Sequence, residues 1–165
     1  MRLLRLSLLT LAFIVPPLSA LAAEPNLTIA SPGRTLILTA SEIAALPRTE
    51  LKVVDMSDQK ERHYAGVAVR ELLTRIGAPL GEKMRGSALT LGVMVRCKDG
   101  YAVLFSLAEF DANFSDRTIL LADQEDGQML PPSAAPFRLV VPGDKRGARG
   151  ARGVSSLEIV SFAQP

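Results

Sequence analysis

Lys145, Arg146, Arg149 and Arg152 crowd into the stretch Pro142-Gly143-Asp144-Lys145-Arg146-Gly147-Ala148-Arg149-Gly150-Ala151-Arg152, where Asp144 is the single acid. The local charge is therefore 4 − 1 = +3. A guanidinium presents a rigid fork of donors, and glycines let backbone N–H groups approach a ligand closely, so this combination suits a phosphate or another planar anion. The same loop would also serve as a solvated surface or as a docking point for a partner protein. It follows Phe137-Arg138-Leu139-Val140-Val141, a short apolar run bounded by prolines that reads as a strand. Arg138 lies inside that run, either facing outward or acting as an anion clamp at a pocket wall.

Three other residues carry potential chemistry. Tyr101 follows Asp99-Gly100, which is a hairpin signal, so it is either part of the turn or a ring with a polar tip lining a groove. His63 is the only histidine, which rules out a histidine cluster for metal, and no Ser-His-Asp pattern with a local signature accompanies it. It is read as structural or as a hydrogen-bond partner for a ligand. Cys97 is the only cysteine, so no intrachain disulfide can form. Its place in the apolar run Leu89 to Cys97 reads as that of a small buried hydrophobe, with a redox or metal role as the alternative.

The elements that must position these residues belong to a chain of 165 residues, the size of one domain. Hydrophobic residues at 48% and charged residues at 22% support a buried core. Residues 1–22 read as a signal peptide: Arg2 and Arg5 precede an apolar core at Leu8 to Val15, and Ala20-Leu21-Ala22 forms a cleavage site. The expected mature domain is 23–165, periplasmic or secreted. Removing two arginines and no acid leaves 17 − 17 = 0 net charge. An exported chain without net positive charge argues against nucleic acid as a partner.

Along that domain, Thr35 to Thr39, Leu51 to Asp55, Leu89 to Arg96, Tyr101 to Phe105, Thr118 to Ala122, Phe137 to Val141 and Val154 to Phe162 read as strands. Thr39 with Glu42, and Ser106 with Glu109, form capping boxes for short helices. Val69, Leu72, Leu73 and Ile76 mark a helix over Val67 to Ile76, with Gly77 as its stop. Asp126-Gly127 marks a turn. Strands with few helices, and no regular alternation, predict an α+β fold with mixed sheet.

Three segments in order resemble the oxidoreductase molybdopterin-binding domain of the sulfite oxidase superfamily. They are His63-Tyr64-Ala65-Gly66-Val67-Ala68-Val69-Arg70-Glu71-Leu72-Leu73, then Asp99-Gly100-Tyr101 with Phe105-Ser106-Leu107-Ala108-Glu109. The third runs from Leu120-Leu121-Ala122 through Asp126-Gly127 to Pro136-Phe137-Arg138-Leu139-Val140-Val141-Pro142-Gly143. The resemblance covers roughly residues 35 to 160. It implies a sulfite oxidase-like fold with a pterin in a groove, its anionic tail held after the Pro-Gly pair. By position, Lys145, Arg146, Arg149 and Arg152 are then the candidates for the tail, with Arg138, Tyr101 and His63 as further cofactor-binding candidates.

Two departures from that family bear on catalysis. Its enzymes bind molybdenum through a cysteine before the Gly-Val helix start, whereas Leu51-Lys52-Val53-Val54-Asp55-Met56-Ser57 here holds none. Neither Met56 nor Asp55 replaces a soft thiolate well. Gly150 also stands where small relatives carry a Trp, and Tyr64, Tyr101, Phe105 or Phe137 would have to supply a ring. The expectation is an exported protein that binds pterin or molybdopterin without molybdenum and without catalysis, and that reports its ligand to a membrane-bound signalling or redox partner. The alternatives are a small molybdopterin-dependent oxidoreductase with an atypical metal ligand, and a structural or interaction protein that kept the fold and lost the ligand.

Overall fold

The computed structural model describes residues 24–55 and 58–163. The expected signal peptide, and Met56 and Ser57, lie outside the described residues. Ten strands occur in order: β1 (Asn26–Ser31), β2 (Arg34–Thr39), β3 (Thr49–Val54), β4 (Glu61–Ala68), β5 (Leu91–Cys97), β6 (Ala102–Ser106), β7 (Leu120–Glu125), β8 (Gln128–Met129), β9 (Arg138–Val140) and β10 (Val154–Ser161). Two short α-helices, α1 (Ala40–Ala44) and α2 (Val69–Arg75), and four single turns of 3₁₀ helix complete the described elements.

The strands form two sheets. The first has the order β2-β1-β10-β5-β6, and the second β3-β4-β7-β8 with β9 pairing β7. Pairing is antiparallel except between β1 and β10, which run parallel, so the first sheet is mixed. One large core fills the space between sheets and helices, and includes Leu27, Ile29, Leu72, Leu73, Val95, Phe105, Leu121, Phe137, Leu139 and Leu157. A smaller cluster, Tyr64, Leu120, Ala122 and Val140, covers the opposite face of the second sheet, with Leu51 and Val53 packed against it. The two-residue alternation in β7 and β9 explains the split. Leu121 and Leu139 face the main core, while Leu120, Ala122 and Val140 face the other side.

Local signals act as their chemistry predicts. Both capping boxes close, at Thr39 with Glu42 and at Ser106 with Glu109, although the second caps a 3₁₀ turn rather than an α-helix. Helix α2 ends at Gly77 with φ +84°. There Gly77 N–H bonds Thr74 C=O and Ala78 N–H bonds Leu73 C=O, a Schellman closure. Asp126 and Gly127 both adopt positive φ in the β7–β8 turn.

Three strands are not among those the sequence predicts: the two-residue β8 that follows the Asp126-Gly127 turn, and the longer β1 and β4. Asn26 to Ser31 forms β1, although its only polar-apolar alternation is short. Glu61 to Ala68 forms β4, where the motif reads as the approach to a helix; the helix itself begins at Val69. The reason lies at Gly66. A Cβ there would stand 2.1 Å from the Leu121 carbonyl oxygen, so only glycine lets β4 lie against β7, at a point where their register shifts.

Candidate functional site

A groove of about 300 Å³ lies on the outer face of the second sheet, roofed by the loop after β9. Its floor is built by Val53, Tyr64 and Val140, all from the smaller apolar cluster. Its polar wall comes from Asp55 at the end of β3 and Arg138 at the start of β9. Residues Val141 to Gly147, with Gly150, close over it. The groove sits at the lower end of the volumes that enclose small ligands.

Arg138 is positioned by strand geometry. It shares the face of Val140, and its neighbour Leu139 inserts into the main core. Its guanidinium donates to Asp55 Oδ2 at 2.9 Å and to the Tyr64 hydroxyl at 2.6 Å, and lies 4.9 Å over the Tyr64 ring. Arg62 adds a second bond to Asp55 Oδ2 at 3.2 Å, and Glu125 stands 3.7 Å from Arg138. Arg138 Nε is buried with no hydrogen-bond partner. Burial pushes the Tyr64 hydroxyl pKa up, with the Arg138 charge opposing, so the phenol stays neutral at physiological pH and keeps a proton to donate.

The roof is tied down by ion pairs and hydrogen bonds. Arg149 bonds Asp144 through Nε (2.8 Å) and Nη2 (2.7 Å), and Glu109 through Nη1 at 2.9 Å. Arg117 bonds the same two carboxylates, Asp144 at 3.0 Å and Glu109 at 2.7 Å. The hydrogen bond from Arg149 holds the Asp144 carboxyl below the usual carboxylate range, and Asp144 in turn raises Arg149 further above neutrality. Tyr101 donates its hydroxyl proton to the Ala148 carbonyl at 2.7 Å. Backbone bonds from Lys98 to Gly153 and from Gly153 to Ala134 complete the attachment.

The predicted site residues therefore separate. Arg138, Lys145 and Arg146 line the groove. Lys145 and Arg146 are exposed and make no ion pair among the described residues. Arg149 does not line it: its guanidinium is spent on Asp144 and Glu109 and lies 4.8 Å over the Phe105 ring. Tyr101 acts as a fastener of the roof from outside the groove. Arg152 is exposed, and its backbone bridges Arg138 along the free side of β9. His63 lies on β4 at 3.3 Å from Glu50, away from the groove lining.

Asp55 and Arg62 are site residues that no sequence motif marks, and Asp144 reads in the sequence only as an offset charge. The Arg117–Glu109–Arg149–Asp144 ring joins residues up to 40 positions apart, and no local pattern announces it. Asp55 had one signal, its position at the end of a predicted strand.

The donor set discriminates between parts of the expected cofactor. The exposed charges of Lys145 and Arg146, in no ion pair among the described residues, suit an anionic group in the groove, whereas the Tyr64 hydroxyl is buried and held by Arg138. A molybdenum centre ligated by a thiolate of this chain does not fit. Cys97 is in the main core on β5, paired with Val154, and is absent from the groove lining. Burial also pushes its thiol pKa up, with Asp99 adding to the effect. Among the described residues no group of three His, Cys, Asp or Glu side chains is placed to hold a metal ion.

No protein-family model and no curated protein matches the sequence. Among solved structures, the fold is similar to the sulfane dehydrogenase SoxCD from Paracoccus pantotrophus, with a TM-score of 0.63 and 20% identity. The match covers 85% of this chain and 39% of that one. The architecture is thus the α+β, sulfite oxidase-like fold that the motifs imply.

Proposed function

We propose that this protein is an exported, non-catalytic binder of a pterin-type anion, pterin or molybdopterin, that reports its ligand to a membrane-bound partner. The observation that carries the reading is the pair Lys145 and Arg146, exposed, without an ion pair among the described residues, and lining the groove. Arg149 is committed to Asp144 and Glu109, and Arg152 is not among the groove lining, which leaves these two for an anionic tail. Arg138, held at the groove wall by Asp55 and the buried Tyr64 hydroxyl, then meets the ring through its charge. Export rests on the amino-terminal pattern alone.

Titration of the full exported chain with neopterin monophosphate, followed by pterin fluorescence, tests the proposal. Saturable binding is expected in the micromolar range. Replacing both Lys145 and Arg146 by Ala should weaken it about 10- to 100-fold, as loss of two charge-assisted contacts implies. Arg152→Ala should leave it unchanged. No saturation at millimolar ligand would sink the reading.

A second reading, a small molybdopterin-dependent oxidoreductase with an atypical metal ligand, draws on the similarity in fold to a dehydrogenase. Metal analysis of the natively exported protein separates the two. About one molybdenum per chain supports the enzyme.

A further inference from the structure

The free edge of the first sheet is strand β6, Ala102-Val103-Leu104-Phe105-Ser106. Exposed edges in monomeric proteins are ordinarily blunted by charge, proline or a bulge. β6 itself contains no charged residue and no proline, and its register with β5 is unbroken; only its last N–H, at Ser106, is covered by a charge, the Glu109 carboxylate. By contrast, β3, at the edge of the second sheet, presents Glu50 and Lys52 to solvent.

The outer face beside β6 is apolar. Leu104 is 44% exposed, Leu89 48% and Phe162 59%, and the three line one shallow depression. Gly92 forms its floor. A Cβ there would meet Leu104 Cδ1 at 2.9 Å and Phe162 Cε2 at 3.1 Å, so the glycine lets the Phe162 ring fold over β5 towards Leu104. The row Phe162-Leu104 thus runs out to the edge of the sheet.

We propose that β6 pairs with β6 of a second copy of this chain, antiparallel about a two-fold axis at Leu104. The register is self-complementary. Leu104 faces Leu104 of the second copy, Val103 faces Phe105, and Ala102 faces Ser106, so every residue stays on its own face of the pleat. The backbone agrees. Cys97 N–H bonds the Tyr101 carbonyl, and antiparallel alternation then turns the N–H groups of Ala102 and Leu104 away from β5. Ser106 N–H is taken by Glu109, which ends the ladder there.

Pairing closes two five-stranded sheets into one, and sets Phe162, Leu104 and their symmetry mates in a single apolar row. No like charges meet across β6. Five strand residues and three half-exposed side chains per copy fall short of the roughly 800 Å² per partner of a standard interface. The dimer is therefore weak and concentration-dependent, with a dissociation constant on the order of 10–100 μM.

Sedimentation velocity of the exported chain, from about 5 μM to about 1 mM, brackets that range. A shift from monomer to dimer is expected across it. Leu104→Lys places a charge at the axis, and Ala102→Pro removes an outward N–H that the monomer does not use. Each should weaken dimerisation about tenfold or more while leaving the circular dichroism spectrum and melting temperature unchanged. Ile37→Lys, an exposed apolar residue on the opposite edge strand β2, should leave it unaffected. A wild type that stays monomeric at 1 mM overturns the proposal. So does a dimer that survives both β6 substitutions, or one that Ile37→Lys abolishes.

Discussion

Arg146 and Arg149 stand three positions apart in one basic loop, yet their environments give them different work. Arg149 is only about one-third exposed and binds two carboxylates, whereas Arg146 is exposed and binds none among the described residues. Replacing Arg149 by Ala removes three charge-assisted bonds and leaves Asp144 to Arg117 alone. After allowance for solvent screening, the cost should be about 1–2 kcal/mol. Arg146→Ala should stay within about 0.5 kcal/mol of the parent protein. Chemical denaturation of the two variants side by side reads the difference. Equal losses would mean that the ionic ring does not fasten the roof.

Strand β4 and helix α2 meet within one motif, and the boundary between them depends on a backbone contact rather than on periodicity. Gly66 has no room for a side chain against Leu121 and Ala122. A methyl group there must push β4 off β7, which also moves Tyr64, the floor of the groove, and Val67, part of the main core. Gly66→Ala is expected to cost more than about 3 kcal/mol, beyond the usual range for one substitution. Thermal melting and soluble yield measure it. A near-native melting temperature would show that the two strands can separate at this point without loss.

At the scale of the whole molecule, two multi-residue ionic groups stand out among the described residues, and each contributes to the groove lining, the first through Asp55 and Arg138, the second through Asp144. One is the Asp55, Arg62, Arg138 and Glu125 group; the other holds Arg117, Glu109, Arg149 and Asp144. Asp144 titrates lower when folded than when unfolded, chiefly through its bond from Arg149. Its contribution to stability is therefore complete above the ordinary aspartate range, near pH 4, and is lost as pH falls through the depressed folded value. Melting temperature should be flat between about pH 7 and 5 and should fall below about pH 4. Asp144→Asn should melt lower at pH 7 and lose less than the parent on further acidification. An equal acid-induced drop in both proteins would assign the acid sensitivity to other groups.

Much of this protein is legible in its order of residues, because the signals are local. Capping boxes at Thr39 and Ser106, the stop at Gly77 and the turn at Asp126-Gly127 each involve neighbours a few positions apart, and each forms as its chemistry requires. The strand that carries Arg138, and the loop after it, were readable for the same reason. Tertiary structure alone decided which cations remain available. Arg149 is captured by Glu109, 40 residues earlier, Tyr101 is drawn to Ala148, and Asp55 is brought to Arg138 from 83 residues away. Charge in a sequence is a sum, and burial and pairing in three dimensions determine which members of that sum a ligand can meet. They reduce a loop of four basic residues to Lys145 and Arg146 at the groove.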